Sequence, residues 1–275
     1  MDRLSLLFDR MNLNARIFHS GALCGIASFS NDTGQCMLHV LNRGVVRVSN
    51  ARAEESFEIT QPSLLFYPAS SPHRFEVNDA SGADLVCAFI DFGPGMGKQI
   101  LLGMPEKLLV PLAAMAGVES TLALLFDEAF AQRSGRAAGI ERLVEFFTIL
   151  LLRHTLDAGL VNSGLLAGLA DERLTKALMA MQARPEHAWA LEELAATAHM
   201  SRARFALHFH AIVGATPLDY LTDWRISVAQ ALLKRGKSLK MVAPAVGYTN
   251  PAAFARAFAK RVGSSPVQWM ALEDE

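Results

Sequence analysis

The sequence predicts a multidomain α+β chain: an N-terminal β-barrel followed by helices, then an all-α C-terminal part with two helix-turn-helix units joined by a linker helix. Three observations predict it. Residues 20–92 hold short runs rich in Val, Phe, Ile and Leu between clusters of Gly, Pro, Ser, Asn and Asp, the pattern of closely spaced strands in a β-sandwich or small barrel. From Val118 onward the apolar spacing becomes helical. Between residues 200 and 270 the chain matches itself under a shift of 49 positions, the mark of a repeated supersecondary unit.

Taken in order, strands are expected at 35–41, 44–49, 63–67, 74–77 and 84–92, and proline-free helices at 118–132 and 139–158. The excess of Leu, Phe and Ile in these two helices calls for a buried face, against the barrel or in a homodimer. Residues 159–170 carry Gly159, Asn162, Ser163, Gly164 and Gly168 and read as a linker. The expected division is therefore 1–158, 159–170 and 171–275.

Within the last part the repeat places Ser201 on Asn250, Phe205 on Phe254, Phe209 on Phe258, Gly214 on Gly263, Pro217 on Pro266 and Tyr220 on Trp269. Each copy has an N-cap residue (Ser201 or Asn250), a helix with aromatic residues four apart, a terminating Gly and a Pro three residues on. The hairpins pair 191–197 with 202–212 and 241–246 with 251–262, and the helix 218–235 joins them, with Pro217 just before it. Two helices with this turn describe a helix-turn-helix, whose second helix enters the DNA major groove. A rigid connecting helix would present both to successive grooves, about 34 Å apart.

Charge partition agrees. Residues 201–263 hold ten Lys and Arg against Asp219 and Asp223, a net +8, which leaves −9 on the rest of a chain whose total is −1. A basic segment on an acidic body is the footprint of phosphate binding. Hydrophobic residues at 51% exclude a disordered chain. The apolar run 146–152 is too short to span a bilayer. Asp2, Arg3, Asp9 and Arg10 interrupt the start as no signal peptide would, and three cysteines make no disulfide framework, so a cytoplasmic protein is expected.

The segments "WALEELAATAHMSRARFALHFHAIVGATPLDYL", "WRISVAQALL" and "VAPAVGYTNPAAFARAFAKRVGSSPVQW" resemble the DNA-binding domain of the AraC/XylS family of bacterial transcription regulators over about 100 residues, 171–269. The resemblance implies regulation of double-stranded promoter DNA under an N-terminal sensing domain, and RNA polymerase as a partner if the protein activates. It directs attention to Ser201, Arg202, Arg204 and His210 in the first hairpin and Asn250, Arg256, Lys260 and Arg261 in the second. Arg256 occupies a position that reaches bases, whereas Lys260 and Arg261 suit phosphates. Two departures stand out. Pro244 interrupts a helix interior, so that helix is expected to start late or bend. Ala203, Ala206 and Leu207 stand where related regulators often place base-reading polar residues, so the specificity of this helix is expected to rest on Arg202, Arg204, His210 and contacts to thymine methyls.

The segments "SGALCG", "CMLHVLNRG", "LLFYPASSPHRF" and "LVCAFIDFG" are similar to the cupin-type sensing domain of one branch of these regulators, which makes the expected barrel cupin-like. Enzymatic cupins carry an H-x-H…E motif and a later His. Here His39 and His73 can stand for two of these, but position 41 is Leu and the glutamate is missing, so a cupin-type enzyme fused to a DNA-binding domain is the lesser alternative and no enzyme is expected. Cys24, His39, His73 and Cys87 would instead suit tetrahedral zinc. Strand parity sets Cys36 on the face opposite His39 and so outside any such site. Against this stands the plainer reading of buried small thiols and hydrogen-bonded histidines. The barrel is thus expected to sense a small molecule, a metal or an oxidant acting at Cys24 or Cys87.

Overall fold

Strands in the N-terminal half follow the apolar alternation, and the structure, a computed structural model, describes residues 2–8, 13–30, 35–50, 56–69, 71–93 and 96–273. The chain divides into two units. One joins Leu13–Asp91 to Met104–Ala158, and the other gathers Met1–Asn12, Phe92–Gly103 and Gly159–Glu275.

The first unit is built from β1 (Asn14–Leu23), β2 (Gly25–Phe29), β3 (Cys36–Arg43), β4 (Val46–Asn50), β5 (Ser56–Ile59), β6 (Ser63–Tyr67), β7 (His73–Val77), β8 (Ala83–Asp91) and β9 (Leu108–Pro111). All pairings are antiparallel, in two sheets ordered β1-β8-β3-β6-β9 and β2-β7-β4-β5. The sheets face each other as an open sandwich, each with two edges, one of the two forms that the strand pattern allows. Met37, Leu41, Leu65, Tyr67, Leu85 and Cys87 from one sheet meet Val48, Phe75 and Val77 from the other. The first six residues of β3 and all of β6 are buried on both faces, which explains why their apolar residues do not alternate with exposed polar ones.

The outer cover comes from α3 (Val118–Phe130) and α4 (Arg136–Asp157), which pack against β1. Arg136 Nη2 donates to Ser20 Oγ at 2.8 Å, and Glu145 Oε1 accepts from the Ala15 N–H at 3.3 Å. The apolar faces of these helices therefore serve the sandwich, although Leu124, Phe130 and Phe146 stay exposed.

The second unit holds α1 (Ser5–Phe8), α2 (Met96–Leu101), α5 (Gly164–Ala170), α6 (Leu174–Ala183), α7 (Leu191–Thr197), α8 (Arg202–Val213), α9 (Pro217–Lys234), α10 (Leu239–Ala245), α11 (Pro251–Val262) and α12 (Pro266–Glu273). The stretch expected to be a linker is the helix α5, with Leu165, Leu166 and Leu169 fully buried against α6 and α8. Its Gly168 marks close approach rather than slack: a Cβ there would lie 2.8 Å from Val213 Cγ2 and 2.9 Å from Leu178 Cδ1. Residues 92–103 likewise belong to this unit, with α2 packed on α5 and α9. The helix with Pro244 starts at Leu239, earlier than expected, because the proline is the sixth of seven residues and removes only one late hydrogen bond.

Candidate nucleic-acid interface

Each helical hairpin is held by the aromatic pair that defines the repeat. Phe205, Phe209, Phe254 and Phe258 are fully buried. The Phe205 and Phe209 rings lie 5.6 Å apart at 60°, with Tyr220 5.9 Å beyond; the Phe254 and Phe258 rings lie 5.6 Å apart at 66°, with Trp269 5.8 Å beyond. Near-identical spacings in two stretches of different sequence identify one unit used twice. Gly214 and Gly263 close α8 and α11 in the left-handed conformation, at φ +80° and +88°. The copies differ in their turns, with four residues from Ala198 to Ser201 but five from Val246 to Asn250. The first helices are consequently offset by 48 positions, and Leu194, Ala195 and Ala198 correspond to the equally buried Val242, Ala243 and Val246.

The N-caps also differ. Asn250 Oδ1 accepts from the Ala253 N–H at 2.8 Å, while the Ser201 side chain makes no such bond. On α11 the exposed side carries Arg256 and Lys260, four residues apart and hence in one stripe. On α8 it carries Arg202, Ala203, Arg204, Leu207 and His210, with Leu207 74% exposed. Arg202 meets Glu192 at 3.2 Å, but both side chains are largely in solvent, and such a pair exchanges readily for a phosphate.

Arg261 is placed differently from the sequence expectation. Its Nη2 pairs with Asp219 Oδ1 and its Nε with Asp223 Oδ1 at 3.2 Å, so it braces α11 against α9. Arg225 is also structural: Nε donates to the Pro185 carbonyl at 2.6 Å and Nη2 to the His187 carbonyl at 2.8 Å. Gly247 makes room for that guanidinium, since a Cβ there would lie 2.7 Å from Arg225 Nη2 and 2.9 Å from the Glu186 carbonyl oxygen. The count of ten basic residues thus overstates the charge offered to a phosphate backbone, because two of them are spent inside the unit.

In the sandwich, the register runs His19, Cys87, His39 and Leu65 across β1, β8, β3 and β6 on the inner face. His73 reaches the same interior from the other sheet, stacked on Tyr67 at 4.2 Å. His73 Nδ1 lies 2.8 Å from the Ser71 carbonyl, an acceptor, so this nitrogen carries the proton. His73 Nε2 then accepts from His39 Nε2 at 3.0 Å, which leaves His39 Nδ1 a buried acceptor without a partner. Burial holds both rings neutral, His39 well below the usual range and His73 at about 4. A cavity of about 320 Å³ adjoins His73, lined also by Ser28, Phe29, Ser49 and Asn50.

Of the four residues expected to bind zinc, His39, His73 and Cys87 share the interior, but Cys24 does not join them. It lies at the β1–β2 turn, five residues along the chain both from His19, the partner of Cys87, and from Phe29, the partner of His73. Five extended residues span about 16 Å. Among the described residues no three or more His, Cys, Asp or Glu come close enough to hold a metal ion. The four residues as placed therefore do not fit a tetrahedral zinc site. Cys36 faces away, as parity required, and burial pushes its thiol up to about 12; the Cys87 thiol is pushed up for the same reason. His19, whose buried Nε2 lacks a partner, was missed by sequence reasoning because only the β1–β8 register sets it beside Cys87.

Residues 2–157 match the family model described as cupin, and residues 194–271 match one described as helix-turn-helix domain. An uncharacterized HTH-type transcriptional regulator of Haemophilus influenzae is 27% identical across 98% of this chain and 97% of its own. The RCS-specific HTH-type transcriptional activator RclR of Escherichia coli is 27% identical across 84% of this chain and 82% of its own. Among solved structures, the DNA-binding domain of AdpA in complex with a target DNA is 33% identical, covering 37% of this chain and 92% of that one with a TM-score of 0.35. Among the described residues no helix is long and apolar enough to cross a membrane.

Proposed function

The chain belongs to the AraC-type helix-turn-helix transcription regulators with an N-terminal cupin domain, and we propose that both of its hairpins read promoter DNA while the sandwich senses a small effector. The observation that carries the reading is the duplicated hairpin, with one aromatic core and two outward recognition helices. In this reading Arg256 touches base edges, Lys260, Arg202 and Arg204 hold phosphates, and Leu207 with His210 lets the first helix favour thymine methyls. Arg261 keeps the second helix in place from behind. Contact with RNA polymerase belongs to an activating mode.

The effector site we assign is the cavity beside His73, where hydroxyls, an amide and an imidazole suit a small polar molecule. A buried, protonated thiol at Cys87 is a poor oxidant target, so an oxidant would act first at exposed Cys24. The H-x-H…E site of a cupin enzyme lacks two of its four ligands, with Leu at position 41 and no glutamate, and a regulator is the reading we keep.

The test is a salt titration of operator binding. Arg256→Ala should lower affinity by roughly 1–3 kcal/mol and relax preference at one or two base positions. Lys260→Ala should weaken all sequences alike and reduce the log–log salt slope by about 0.9. Altered sequence preference in Lys260→Ala together with unaltered preference in Arg256→Ala would overturn the assignment.

A further inference from the structure

The helical unit contains a cavity of about 530 Å³ that the DNA-binding reading does not use. It opens between the end of α2, the inner side of α9 and the end of α11, with Trp269 of α12 closing it. Its volume falls in the range of small-molecule sites. Leu102, Ile226 and Trp269 make the wall apolar, and Gln99, Asp223, Gln230 and Arg261 supply the polar atoms.

An inventory of those atoms is lopsided. Three donors are committed: Gln99 Nε2 to Asp223 Oδ2 at 2.9 Å, Arg261 Nε to Asp223 Oδ1 at 3.2 Å, and Arg261 Nη2 to Asp219. Two amide acceptors are not. Gln99 Oε1 and Gln230 Oε1 are both buried without a partner, and Gln230 is only 3% exposed. Turning the Gln99 amide over would relieve nothing, because its nitrogen must face the Asp223 carboxylate. Burial also raises the Asp223 carboxyl despite the adjacent guanidinium, so the site retains an incompletely compensated anion.

We propose that this cavity binds an amphipathic primary amine, whose ammonium donates to Gln99 Oε1 and Gln230 Oε1 beside Asp223 while its apolar body lies against Leu102, Ile226 and Trp269. Two unpartnered acceptors and a carboxylate call for several donors on one centre. An ammonium has three, a hydroxyl has one, and a carboxylate has none. Because Arg261 and Val262 end α11 and also line the cavity, occupancy reaches the second recognition helix.

The experiment is calorimetric titration of the full-length protein with primary alkyl and arylalkyl amines from butyl to decyl, each paired with its alcohol and carboxylate counterpart, alongside Trp fluorescence. At least one amine should bind about tenfold or more tightly than both counterparts. Gln230→Met and Asp223→Asn should each weaken that amine about tenfold, with thermal melting retained as the check on folding. The proposal is overturned if no amine binds below about 10 mM, if the carboxylates bind best, or if folded Gln230→Met and Asp223→Asn both bind the amine as the parent does.

Discussion

Acid should unfold the sandwich through its buried imidazole pair. An imidazole that stays neutral down to about 4 in the folded protein, against the usual 6.5 in the unfolded chain, leaves the unfolded state binding more protons across that window. Stability is therefore present in full above pH 6.5 and is lost as the pH falls toward 4. Each such histidine contributes up to about 1.4 kcal/mol per pH unit, so His73 alone removes about 3 kcal/mol between pH 7 and pH 4. His39, buried with its Nε2 proton given to His73, adds to this in the same direction. The perturbation is the double substitution His39→Phe with His73→Phe, which replaces both hydrogen-bond partners by apolar rings in a site already lined by Phe29 and Phe75. Urea unfolding at half-unit steps from pH 7.5 to 4 gives the stability of each protein. The parent should lose at least about 3 kcal/mol more than the double variant over that range. Parallel pH profiles would refute the idea that these rings are held neutral.

Two other outcomes follow from the packing. Gly247→Ala should destabilise the helical unit by roughly 1–3 kcal/mol in thermal or urea unfolding, because φ is +80° and the new methyl meets Arg225 and the Glu186 carbonyl; an unchanged midpoint would count against that close approach. Metal analysis of reduced protein should find well under one zinc per chain, since Cys24 stands about 16 Å of strand away from the histidines. Stoichiometric zinc, lost on both Cys24→Ser and Cys87→Ser, would show that the strand register around Cys24 is wrong.

The parts legible in the sequence were those where the local signals did not conflict with one another. Helices α7 and α11 were read at their observed bounds: in α11 the N-cap Asn250, the terminating Gly263 and the apolar period all agreed, while α7, which no side chain caps, was read from its apolar spacing. Strand β6, buried on both faces, announced itself as a continuous apolar run. Strand β1 did not, because a register shift between Ile17 and His19 breaks its alternation midway. Helix α5 was read as a linker from its cluster of Gly, Asn and Ser, when only the packed neighbours Val213 and Leu178 reveal why Gly168 excludes a side chain. Candidate ligands were likewise half legible. Parity separated Cys36 from His39 correctly, but whether Cys24 joins His73 depends on which sheet each strand enters, and alternation does not encode that. Arg261 looked like a phosphate contact until its two carboxylate partners on α9 were placed.

Hydroxyl-radical footprinting on a site selected from random DNA tests the central claim most directly. Two recognition helices fixed by α9 should protect two patches on one face of the duplex, about 10–10.5 base pairs apart, in a single binding event. Arg256→Ala should loosen one patch and Leu207→Ala the other, each leaving its neighbour protected. A single protected patch, or the same patch weakened by both substitutions in folded protein, would contradict a regulator that reads DNA with both of its hairpins.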